Sequence, residues 1–140
     1  MLLTELLHPE MLSALAAAGH GGRVLIADGH YPGSTAVGPH ARTVHLNLVP
    51  GLLDVSTVLD VVLRAVPVES ATVMVPPPAQ PEPEAVEAHR RRLGPVALDR
   101  VDRFAFYAEA RSDDLALAVI TADTRTYANI LLTIGVRSTP

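Results

Sequence analysis

The chain has 140 residues, 49% hydrophobic and 19% charged, which excludes a disordered polymer and fits one domain spanning residues 1–140 with a substantial core. A net charge of -4, with no basic run longer than Arg90-Arg91-Arg92, argues against nucleic acid as a partner. Cysteine and lysine are both absent, which excludes thiolate zinc sites, cysteine nucleophiles, Schiff-base chemistry and a phosphate-loop lysine.

The opening MLLTELLHPEML carries Glu5 and Glu10 and no basic n-region, so it does not read as a secretory signal. No apolar run approaches the roughly 18 residues of a membrane span; no membrane partner is expected, and the expected compartment is the cytoplasm. Pro9 near an N-terminus, Glu10 in the first turn and Gly19 as a stop predict a helix over His8–Ala18. The run Arg23–Ala27 predicts a buried strand delivering Asp28 and His30 to a loop rich in Gly, Pro and Ser. Alternation over Thr43–Leu48 predicts a half-buried strand, and helical spacing over Leu52–Val66 a helix ending before Pro67.

Ala71–Val75 predicts a strand closed by Pro76-Pro77-Pro78, because proline cannot donate to a ladder. PEPEAVEAHRRRLG has acids in its first turn and arginines in its last, and reads as a polar surface helix. Val96–Val101 predicts a strand, Asp102 a cap for the helix RFAFYAEA, and Leu115–Thr121 and Ile130–Val136 two more strands. Helices alternate with strands throughout. The expected fold is therefore α/β, a single three-layer domain with helices on both faces of a largely parallel sheet.

Ligands of α/β sheets sit at the carboxyl ends of strands, which singles out Asp28 and His30. Taken alone, Asp28 before Gly29 is also what an Asx turn requires. His20 lies between Gly19 and Gly21, which leave a ring accessible; it suits proton transfer near neutrality or capping of the preceding helix. His30, His40 and His45 could join Asp28 in a metal site, but no recognised ligand spacing is present and no metal is expected. Arg103 and Tyr107 share a helix face at i and i+4. Thr121, Asp123, Tyr127 and Asn129 lie between two strands. Hydroxyls, an amide, a carboxylate and a guanidinium are the inventory for gripping a polyhydroxyl ligand.

These blocks resemble the L-fucose mutarotase and D-ribose pyranase family: HPEMLSALAAAGHGGRVLIADGHYPGS, then RFAFYAEA, then TADTRTYANILLTIGV, in order and nearly end to end. Phe104, and His30 followed by Tyr31-Pro32, look more like the fucose branch. The resemblance implies an isomerase that interconverts the anomers of a free reducing sugar, L-fucose or alternatively D-ribose, without cofactor or metal. It implies His20 as the acid/base residue, with Asp28 orienting it or contacting the sugar. Arg103, Tyr127 and Asn129 match positions that hold the sugar, with Tyr107 and His30 added to them. It further implies a ring-shaped homo-oligomer, commonly a decamer, with sites near subunit contacts. Gly29 and the turn TADTRT depart from the family pattern and bear on sugar preference more than on the reaction. A sugar-binding module without catalysis is the reading from another class.

Overall fold

Four aliphatic residues in succession, Val24 to Ala27, have no exposed surface at all, so the strand they form must be covered on both faces. The computed structural model, which describes residues 1–139, shows how. The elements run α1 (Pro9–Ala18), β1 (Arg23–Ala27), β2 (Arg42–His45), α2 (Val55–Ala65), β3 (Val68–Met74), α3 (Glu84–Leu93), β4 (Ala97–Val101), α4 (Arg103–Ala110), β5 (Leu115–Ile120) and β6 (Ile130–Ile134). All six strands join one sheet in the order β2-β5-β1-β6-β3-β4. β6 runs against both of its neighbours, whereas β2, β5 and β1, and likewise β3 and β4, pair in parallel. The largely parallel sheet is therefore as expected, apart from one reversed strand near its middle.

Helices α1, α2 and α3 cover one face, packing Met11, Leu15, Val58, Leu59 and Val86 on Val24, Ile26, Val73, Val119 and Leu132. On the other face α4 lies with the segment after β1: Phe106, Ala110, Tyr31 and Ala36 pack on Leu25, Ala27, Ala118 and Leu131. Phe106 is wholly buried, and its ring meets Tyr31 edge-on with centroids 6.2 Å apart.

Local chemistry sets the ends of these elements. Helix α2 starts at Val55 rather than Leu52, because Asp54 caps it by accepting the Thr57 amide at 2.7 Å. Strand β2 stops at His45, short of the expected Leu48, and Leu48 stands exposed in the loop beyond. The arginine-rich α3 is not a purely surface helix. Ala85, Val86, Ala88, His89 and Leu93 are buried beneath its charged side, a stripe at helical spacing.

This topology brings the carboxyl ends of β1, β3, β4 and β5 to one edge. Because β6 is reversed, its amino end arrives at the same edge, and so Asn129 comes to lie beside Asp28.

Candidate functional site

The strand end at Asp28 is built by backbone hydrogen bonds. Asp28 is 2% exposed; its Oδ1 accepts the His30 amide at 3.0 Å and its Oδ2 the Ala128 amide at 3.3 Å. Burial pushes this carboxyl above its ordinary value, against the pull of those two amides. The first of the two bonds is the Asx turn that the sequence allows; the second ties the carboxylate to the chain entering β6. In return the Asp28 amide donates to Asn129 Oδ1 at 2.7 Å. That bond fixes the orientation of the Asn129 amide and leaves its Nδ2 protons as donors.

Tyr127 adopts a left-handed backbone conformation, with φ of 57°. Such a φ is uncommon for a bulky residue and persists only where neighbours determine it. Here the turn brings Asp28, His30, Tyr31, Met74, Arg103, Tyr107, Thr126, Tyr127 and Asn129 around a cleft of about 250 Å³. Arg103 is the first residue of α4, with the cap Asp102 accepting the Phe104 and Ala105 amides. One helical turn on, Tyr107 faces the same cleft and packs edge-on against Tyr31 at 5.4 Å. Tyr31 itself is buried, its hydroxyl donating to the Ala36 carbonyl at 2.7 Å. His30 is exposed at the rim, its Nε2 lying 3.2 Å from the Thr124 carbonyl.

His20 is elsewhere. It precedes β1, whereas Asp28 follows it; at roughly 3.3 Å per residue the strand alone separates them by about 13 Å. Its Nε2 contacts Glu69 Oε2 at 3.0 Å. With His40, Arg42, Asp113 and Asp114 it lines a wider groove of about 620 Å³ at the opposite edge of the sheet. The expectation that Asp28 orients His20 therefore does not hold within one chain. The other six candidates, Asp28, His30, Arg103, Tyr107, Tyr127 and Asn129, do converge.

The model of the RbsD / FucU transport protein family matches residues 1–137. The chain belongs to this family. A human fucose mutarotase is 33% identical over 94% of this chain and 90% of its own length. Among solved structures, Bacillus subtilis RbsD complexed with D-ribose superposes with a TM-score of 0.85 at 22% identity, covering 99% of this chain and all of that one. The fucose mutarotase of Streptococcus pneumoniae in complex with L-fucose gives 0.79 at 23% identity, covering 94% of each chain. Both structures share the fold of this RbsD / FucU chain.

Two residues of this RbsD / FucU chain that the sequence groups with the ligand-gripping set turn inward instead. Thr121 is fully buried; its hydroxyl donates to the Ala27 carbonyl at 2.8 Å and accepts the Asp123 amide at 3.2 Å. Asp123 Oδ2 accepts the Val55 amide at 2.9 Å and an Arg125 guanidinium proton at 2.7 Å. Although burial opposes it, that pairing holds the Asp123 carboxyl below its usual range. Both residues shape the loop between β5 and β6. Among the described residues no group of three or more His, Asp or Glu side chains gathers as a metal site. None of the described helices is long and apolar enough to cross a membrane.

Sequence reasoning overlooked Tyr31, Met74 and Thr126 as lining residues. The pattern His30-Tyr31-Pro32 places an aromatic ring directly after the strand end, which is the signal for the first; Met74 is the last residue of β3 and carries no polar signal.

Proposed function

We propose that this chain is an L-fucose mutarotase, an isomerase that interconverts the α and β anomers of the free sugar by general acid/base catalysis. It would act in the cytoplasm as a ring-shaped homo-oligomer, commonly a decamer, and without cofactor or metal. One observation carries the reading: eight residues with hydrogen-bonding side chains from the segment after β1, α4 and the β6 entry line a single small cleft, in a chain related to a fucose mutarotase over nearly its whole length.

The chemistry asks little of the protein beyond placement. A base takes the proton of the anomeric hydroxyl and the bond from the anomeric carbon to the ring oxygen breaks. The electron pair goes to the ring oxygen, which receives a proton, and a carbonyl forms. Rotation of the aldehyde and reversal of these steps give the other anomer. Positioned proton transfer contributes roughly 10²–10⁴-fold. Asp28 accepts sugar hydroxyls, while Asn129 Nδ2 and Arg103 donate to them; Tyr107 and Tyr127 supply ring faces and hydroxyls, with His30 at the rim. His20 is the acid/base residue. On this reading His20, which stands at the sheet edge away from Asp28, serves the cleft of a neighbouring copy, with the two edges of the sheet meeting between subunits.

The test is proton NMR saturation transfer between the anomers of L-fucose, with D-ribose alongside. Wild type accelerates exchange of L-fucose and His20→Ala does not. Mixed oligomers of His20→Ala, inactive alone, and Asn129→Ala, weakened alone, exceed the rate expected from the Asn129→Ala subunits by themselves. Acceleration with D-ribose only favours the ribose pyranase reading. Binding without acceleration of either sugar favours a module without catalysis.

A further inference from the structure

One buried polar group takes no direct part in the cleft. His89 of α3 has no exposed surface, on the face of the sheet covered by three helices. Its Nε2 lies 2.7 Å from the carbonyl of Ala128. A carbonyl only accepts, so Nε2 carries the proton and Nδ1 is left with a bare lone pair; Nδ1 has no partner among the described residues. Burial first, then the nearby guanidinium groups of Arg125 and Arg92, hold the ring neutral, against the pull of Ala128 and of Asp123.

A leucine or methionine would fill this volume without stranding Nδ1, a buried acceptor whose lost hydration nothing repays. What the imidazole offers against that cost is its bond to the Ala128 carbonyl. Ala128 is gripped on both sides: its carbonyl, in the peptide leading to Asn129, accepts from His89, and its amide, in the peptide leading from Tyr127, donates to Asp28 Oδ2. On one side of it stands Tyr127 in its left-handed conformation, and on the other Asn129, whose Oδ1 holds the Asp28 amide.

We propose that His89 is a positioning residue for the cleft: its Nε2–H bond to Ala128 holds the Tyr127–Asn129 backbone in the conformation that presents both side chains to the sugar. The proposal rests on the mutarotase reading for its consequence in catalysis, though not for its geometry. His89 touches no substrate.

Two substitutions separate the hydrogen bond from the packing. His89→Gln keeps a donor at nearly the same reach; His89→Met keeps length and apolar volume without one. In His89→Met the acceleration of L-fucose anomer exchange falls by about 10-fold or more, within the roughly 10²-fold that a misplacement of 1 Å can cost. In His89→Gln it returns to within about threefold of wild type, and the melting temperatures of the two variants do not follow that order. Equal rates in His89→Met and wild type overturn the proposal, as does a His89→Gln variant impaired as deeply as His89→Met.

Ligand-free ¹⁵N-labelled protein supplies a readout that needs no turnover: the Ala128 and Asn129 amide signals move in His89→Met and stay in His89→Gln. If wild type accelerates neither sugar, the mutarotase reading fails and these signals alone decide the positioning claim. Unmoved signals overturn it. Where neither variant folds, the wild-type histidine ring spectrum decides, because an Nδ1–H tautomer at His89 overturns the bond directly.

Discussion

Replacing Arg125 with methionine keeps the aliphatic stem and removes the guanidinium that pairs with Asp123. Asp123 is 2% exposed and Arg125 has 30% of its side chain exposed. In the native chain Arg125 donates to Asp123 from Nε at 3.0 Å and from Nη2 at 2.7 Å, and Nη2 also reaches Ser56 Oγ at 3.1 Å. Deleting one partner of a fully buried pair costs about 3–5 kcal/mol. Here the figure is smaller, because Arg125 is partly in water and Asp123 keeps the Val55 amide and the Arg125 amide. About 2 kcal/mol remains, or roughly 4–8 °C in melting temperature for a chain of this length. The pH dependence follows from the direction of the shift. Although burial works the other way, the folded protein holds the Asp123 carboxyl below its ordinary 3.8. Its contribution to stability is therefore fully present above that value and disappears as pH falls through the folded one. Urea denaturation of Arg125→Met and wild type near pH 7 and near pH 3 then shows a smaller gap at the second than at the first. A gap of equal size at both pH values refutes the charge-pair account and assigns the loss to packing.

Asn129→Ala removes the acceptor for the buried Asp28 amide as well as the Nδ2 donors. Stability falls by about 1–3 kcal/mol and L-fucose affinity falls by about 10-fold, measured by calorimetry and ligand NMR; binding at the wild-type level counts against Asn129 as a sugar contact. Gly38→Ala would press a methyl group into the Ser112 carbonyl oxygen, far inside van der Waals contact. No side-chain motion can relieve that clash, so the variant melts well below wild type; equal melting temperatures show the loop moving freely away. Exhaustive chelation leaves the L-fucose exchange rate unchanged, as a metal-free reaction requires, and a rate lost to EDTA and restored by a divalent cation overturns that view.

Much of the architecture is legible in the residues. Asp102 announces a helix start, Gly19 a stop, and Val24–Ala27 a buried strand; each is a local signal with a local cause, and the Asp54 cap is a signal of the same kind that apolar spacing alone passed over. The reversal of β6 has no such signal, since ILLTI reads the same whichever way it runs and only its partners decide its direction. For the same reason His20 and Asp28, eight positions apart, look like neighbours in sequence: the strand between them is what carries them to opposite edges. Tyr107 is recognisable from its spacing to Arg103, because one helix carries both. Thr121 and Asp123 resemble ligand donors in composition, yet their hydrogen bonds are consumed by β1 and α2. His89 is hidden among arginines, and the buried stripe Ala85, Val86, His89 and Leu93 could have exposed it.

The crossing of the β5–β6 connection above the end of β1 makes the cleft resemble a calliper whose two jaws belong to the sheet. Ile26 is in register with Ile130, so the gap between Asp28 and Asn129 is set by strand pairing, with the loop acting only as a strap. A jaw of that kind cannot widen without breaking ladder bonds in the core. Arg103 and Tyr107, by contrast, hang from an eight-residue helix on the thinly covered face. On the proposed reading, retuning the protein toward another sugar is therefore a matter of changing what α4 presents, with the strand ends left as a fixed frame.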